Sequence, residues 1–358
     1  MGRNTHPIIE GQHDGQYEGQ YLRDILDQPR ALAATLGQLE IPKELDVLAR
    51  RLREGKIKRV VLTGMGASFH ALHPLFLRLN GYGYTAVTVE ASELVHSLGR
   101  WFEPESLIVA VSQSGQSAEV VRLIEENRGR AAIVGVTNAA DSPLALRANA
   151  LILTMAGKEF SVSCKTYLTS LVALHLLGGF LCGCDASRTL EDLAQTEPAV
   201  ASYLSNWRDH VSEMRAELGQ VRHLFLLGRG ASLAASGEGA LIVKESVRLH
   251  AEGMSGAAFR HGPLEMVNGE TFAVVFAGEK TTRTLQARLL DDIREAGGKT
   301  GWIAEGASSG AWHLPTTPPE QRPMLEILPV QMMTLALAAE AGIEAGQFAR
   351  IPKITTME

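Results

Sequence analysis

Short runs of aliphatic and β-branched residues recur along the first half of the chain at 59–63, 86–90, 107–112, 132–136 and 150–154. Helix-length stretches such as 118–128 separate them. Runs of four to six apolar residues suit strands buried on both faces, and their alternation with helical segments predicts a parallel sheet covered on both sides. The scheme returns at 223–228, 272–277 and 299–304, with a helix predicted over 237–249.

The second set repeats the first. Arg59-Val60-Val61-Leu62-Thr63-Gly64-Met65-Gly66-Ala67-Ser68 matches His223-Leu224-Phe225-Leu226-Leu227-Gly228-Arg229-Gly230-Ala231-Ser232, 164 positions downstream. The run from Leu107 to Val111 matches Thr271 to Val275 at the same offset. Two matches at one offset predict a duplicated α/β unit. The expected organisation is a helical, peripheral segment over 1–48, a first unit over 49–186, a connecting helix over 187–209, a second unit over 210–345 and a tail over 346–358. Two units agree with a length of 358 residues.

Composition narrows the class of function. Apolar residues make up 45% and charged residues 21%, the balance of a chain that buries large cores. The net charge is −6 with no dense basic run, which argues against a grip on nucleic acid. Three cysteines, Cys164, Cys182 and Cys184, form no C-x-x-C pair, so neither a disulfide framework nor a zinc site is suggested. No signal-peptide core and no uninterrupted apolar run of membrane length is visible, so the expectation is a cytoplasmic protein that binds no membrane. No metal and no organic cofactor is expected.

Candidate chemistry begins where the strand at 107–111 ends. Ser112-Gln113-Ser114-Gly115-Gln116-Ser117 precedes the helix from Ala118, and backbone N–H groups at a helix start attract anions. Three hydroxyls add donors. Ser68, after Gly64-x-Gly66, reaches the same edge from the neighbouring strand, so the set describes a cup for a phosphate monoester. The second unit has Phe276-Ala277-Gly278-Glu279 at the aligned place, which makes the same turn without hydroxyls. A dinucleotide site is disfavoured, because the third glycine of G-x-G-x-x-G falls on Phe69 in one copy and Leu233 in the other.

In the second unit Glu238 and Glu245 lie seven apart, two turns along one helix face. Arg260-His261-Gly262-Pro263 fixes an imidazole in a loop, and Lys353 stands near the C-terminus. Each alone reads as a solvated side chain. Together they carry a resemblance to the isomerase half of glucosamine-6-phosphate synthase and its relatives with two sugar-isomerase (SIS) domains, whose flavodoxin-like three-layer units contain parallel sheets. Ser112–Ser117 is similar to that family's phosphate loop, Ala91-Ser92-Glu93 to its A-S-E-F segment, Ser163-Cys164-Lys165 to its S-T-K turn, and the block from Glu238-Gly239-Ala240-Leu241 to His261-Gly262-Pro263 to its most specific stretch.

The resemblance implies Gly66, Ser68, Ser112, Gln113, Ser114, Ser117, Ser163 and Glu238 on a sugar phosphate. It further implies Glu245 as the base between C1 and C2, His261 in ring opening, and Lys353 at the carbonyl. It implies a homodimer, with His261 entering from the neighbouring subunit. The chain departs from the pattern at Ile242, where the synthase has a lysine, and at Gln116, where the loop has glutamate. No glutaminase segment is recognised, so glutamine-dependent synthesis is not expected. The reaction expected is isomerisation or deamination of a hexosamine or ketosamine phosphate, and the alternative is a non-catalytic sugar-phosphate sensor.

Overall fold

The computed structural model describes residues 17–306, 310–350 and Lys353. The first 16 residues of the expected N-terminal segment, and tail residues 351–352 and 354–358, lie outside that range.

The first sheet comprises β1 (Arg59–Gly64), β2 (Ala86–Glu90), β3 (Ser106–Val111), β4 (Ala132–Thr137) and β5 (Ala150–Leu153). The second comprises β6 (His223–Gly228), β7 (Ala251–Ser255), β8 (Thr271–Phe276), β9 (Lys299–Glu305) and β10 (His313–Leu314). All pairings are parallel, and the orders β2-β1-β3-β4-β5 and β7-β6-β8-β9-β10 are the same topology repeated. In each sheet the order reverses beside the first strand of the unit, and the crevice opened there at the carboxyl ends is where such sheets take ligands. Gly64-Met65-Gly66 and the loop after β3 both end at that crevice in the first unit.

The predicted strands are all present. Strands β7 and β10 have no counterpart in the predicted pattern. Both are edge strands, and β7, Ala-Glu-Gly-Met-Ser, lacks an apolar run because only one of its flanks is paired. The helix predicted over 237–249 runs from Leu233 to Val247, entered through a 3₁₀ turn at Gly230–Ser232. Instead of one connecting helix over 187–209 there are three, Ala186–Leu193, Thr196–Leu204 and Trp207–Leu218.

The described part of the N-terminal segment, from residue 17 onward, is not peripheral. In helices Gln20–Leu26 and Gln28–Gln38, Tyr21, Ile25 and Leu32 are buried in the cluster that also contains Val60, Leu62, Leu224 and Leu226 from both sheets. Gln28 is wholly buried, and its amide exchanges hydrogen bonds of 2.9 and 3.1 Å with Gln331. Two helices, Lys165–Leu181 and Ile327–Ala341, are apolar on nearly every face because protein surrounds them. They lie in the same cluster, so the two units share one interior rather than meeting as separate bodies.

Candidate active site

The loop after β3 is built around Gly115, whose φ of +61° favours glycine and whose Cβ would run into Ser142. Ser112 Oγ accepts the Gly115 N–H at 3.1 Å, and Ser114 Oγ accepts the Gln116 N–H at 3.3 Å. A hydroxyl that accepts in this way keeps its own proton to donate. Gln113 holds the loop to the sheet, its carbonyl accepting the Asn138 N–H at 3.1 Å. Ser117 is the N-cap residue of the Ala118–Asn127 helix.

These residues form one wall of a pocket. Gly66, Ser68, Ser112, Gln113, Ser114 and Ser117 line it from the first sheet, with Ser163 from the turn before the Lys165–Leu181 helix. The second unit contributes Leu241 and Glu245, and the tail contributes Phe348 and Lys353. Nine of the predicted site residues are therefore brought together from segments far apart in sequence.

Glu245 is largely buried, and burial raises its pKa to about 7 from an ordinary carboxylate value. The Lys353 ammonium opposes the rise and Glu159 adds to it. A carboxyl poised near neutrality can take up and return a proton at working pH. Lys353 Nζ donates to Glu159 Oε2 at 3.0 Å and to the Ser161 carbonyl at 2.6 Å.

Two predicted residues stand apart. Glu238, expected on the sugar, is fully buried and does not line the pocket. It lies seven residues before Glu245 on the same helix, about 10 Å along the axis, and neither carboxyl oxygen has a partner among the described residues. Burial pushes its pKa well up, and the neighbouring carboxylates Glu245 and Glu159 add to the rise. His261 follows the Gly256–Arg260 helix, is exposed, and is absent from the pocket lining of its own chain.

Sequence reasoning passed over Glu159, a pocket residue whose side chain is entirely buried. Its carboxylate takes the N–H groups of Cys164 and Thr166 and the Thr166 hydroxyl. The only signal for it was its place six residues before the recognised lysine of the Ser163-Cys164-Lys165 turn. Among the described residues no group of three or more His, Cys, Asp or Glu side chains could hold a metal ion.

A parallel sheet repeated in tandem, with hydroxyls and N–H groups at one switch point and Glu245 and Lys353 in the same pocket, defines a class of two-unit α/β proteins. The chain belongs to the SIS-domain family, whose model matches residues 55–178 and 217–341. It is 31% identical to the glutamine–fructose-6-phosphate aminotransferase of Pyrococcus horikoshii over 98% of its own length and 60% of that protein's. The match is to the isomerase part, so the chain spans about 60% of that relative. Among solved structures, the C-terminal domain of the glucosamine–fructose-6-phosphate aminotransferase of Francisella tularensis superposes with a TM-score of 0.81 at 22% identity, covering 93% of this chain and 99% of that one. The tagatose-6-phosphate ketose/aldose isomerase of Escherichia coli gives 0.78 at 20% identity, covering 93% and 97%.

Proposed function

We propose that the chain is an amino-sugar phosphate isomerase or deaminase, acting on a hexosamine or ketosamine phosphate through its open-chain form. The observation that carries the reading is the meeting of Glu245 and Lys353 in the pocket that the serine loop lines. In this scheme Ser112, Gln113, Ser114 and Ser117, with Ser68, hold the phosphate by N–H and O–H donors. Glu245 removes a proton from one of the two adjacent carbons C1 and C2 and returns it to the other, while the carbonyl oxygen gains a proton and the hydroxyl or amine on the neighbouring carbon loses one. In deamination, water then displaces ammonia from the resulting imine. Lys353, one of whose three N–H donors is not taken by Glu159 or Ser161, polarises the carbonyl by donating to its oxygen.

His261 completes the scheme from a second copy of the chain, opening the sugar ring. Its exposure on its own chain leaves it available for that role. The test is incubation with a panel of amino-sugar and ketosamine phosphates, scoring released ammonia or amine and the ketose phosphate. Turnover without glutamine supports the reading. Binding of the whole panel with no conversion would make the protein a sensor.

A further inference from the structure

In the pocket the tail lysine contacts Glu159, whose carboxylate is itself closely held. Glu159 Oε1 accepts the Cys164 N–H at 2.9 Å and the Thr166 N–H at 3.1 Å, and Oε2 accepts the Thr166 hydroxyl at 2.7 Å. These donors sit at the start of the Lys165–Leu181 helix, where backbone N–H groups carry partial positive charge. The buried carboxylate thus has three donors besides Lys353, whose ammonium supplies the opposite charge and is held by it in turn.

The segment bearing Glu159 is itself fixed from behind. Asp24 Oδ2 accepts the N–H groups of Phe160 and Ser161 at 2.8 and 3.2 Å, and Asp24 pairs with the buried Lys165 at 3.0 Å. The start of the tail is pinned to the same segment. Gly346 donates its N–H to the Ser246 carbonyl at 3.1 Å and accepts the Ser161 hydroxyl at 2.5 Å. Its φ is +77°, and a Cβ there would strike Ser161 and Tyr21. N-terminal helix, tail and pocket therefore converge on residues 159–161.

We infer that Glu159 is a positioning residue that seats the Lys353 amine beside Glu245, so that the buried segment 159–161 decides whether the tail completes the pocket. The inference rests on the role proposed for Lys353. It assigns Glu159 no contact with the reacting carbons. The charged and titratable groups that influence Glu245 electrostatically are Lys353, Glu159, Lys244, Glu238 and Tyr21, and the effect inferred for Glu159 is the one carried by the lysine it holds.

The test combines two readouts in the full chain. The first is turnover of Glu159→Gln, Lys353→Met and the double variant. If Glu159 acts through Lys353, Glu159→Gln lowers kcat about tenfold or more with KM changed less than about threefold, and adds nothing in the Lys353→Met background. The second readout needs no substrate. Trypsin must draw the Lys353 side chain out of its seat, so cleavage after Lys353, followed by mass spectrometry, should quicken about tenfold in Glu159→Gln. Equal losses in both backgrounds, or unchanged cleavage, would overturn the inference. Glu159→Asp, which keeps the charge but withdraws it by one methylene, replaces Glu159→Gln if that variant does not fold. A wild-type protein inactive on every substrate would sink the proposed function alone, and the trypsin result would then decide this point by itself.

Discussion

In the first unit the turn after β3 sets Gly115 at a φ of +61° and surrounds it with Ser112, Ser114 and Ser117; in the second, the turn after β8 sets Gly278 at +60° among Ala277 and Glu279. The backbone device is the same and the chemistry is opposite. The contrast extends to the neighbouring strand. Ser68 lines the open pocket, whereas its counterpart Ser232 donates to the buried Glu326 at 2.8 Å. Burial pushes Glu326 up to about 8, and Arg322 stands beside it, paired with Glu305 at 3.2 Å. The second crevice is closed with the chain's own carboxylate at the place where the first faces solvent. Under the proposed function, one of the two duplicated crevices kept its anion while the other unit turned its helix to acid–base work.

That division predicts a graded set of outcomes. The largest belongs to the base: Glu245→Gln should cut turnover about a thousandfold while binding of the sugar phosphate stays nearly unchanged, as calorimetry and kinetics together would read. Retained activity would move proton transfer out of the second unit.

The same substitution should also change stability with pH. The folded-state pKa of Glu245 is raised from 4.5 to about 7, so the native protein binds more protons than the unfolded chain between those values and loses stability as pH rises through them. Glu245→Gln, which cannot ionise, should melt above wild type at pH 8, by up to about 3 kcal/mol, and match it at pH 4. Parallel melting curves at both pH values would contradict the buried, ionising carboxyl.

Phosphate affinity is expected to respond less steeply. Ser112→Ala with Ser114→Ala should weaken binding of a hexose phosphate at least tenfold, since hydrogen bonds to a charged group contribute about 1.5–3 kcal/mol each and other donors remain. The matching change in the other unit, Ser232→Ala, should leave that affinity untouched. It should instead lower stability by about 1–3 kcal/mol, because Glu326 loses its one side-chain donor. An affinity loss in Ser232→Ala would erase the distinction between the copies.

How much of this could be read from the sequence follows the same divide. The first sheet, the hydroxyl loop and the helix bearing Glu245 are local patterns: an apolar run, a glycine turn, a helix start. Strand β7 escaped because an edge strand needs no apolar run, and because its Gly253 is demanded by the close backbone of Ser236 and Gly237. The N-terminal helices looked peripheral, since nothing in Gln28 announces its pairing with Gln331, 303 positions away. Glu159 was illegible for the same reason. Its partner Lys353 lies 194 residues downstream, and only folding puts the two in contact. Glu238 misled in the other direction: helical periodicity correctly set it on the face of Glu245, but not how deep along the helix the pocket ends.

The most direct test is a crystal of the protein soaked with a hexose 6-phosphate, read for where the phosphorus peak falls. The expected result is one site per chain, with phosphate oxygens within hydrogen-bond reach of Ser112, Ser114 and Ser117 and the sugar carbons turned toward Glu245. Phosphate bound instead at the Gly228-x-Gly230 turn, beside Ser232 and Glu326, would contradict the division of labour between the two units.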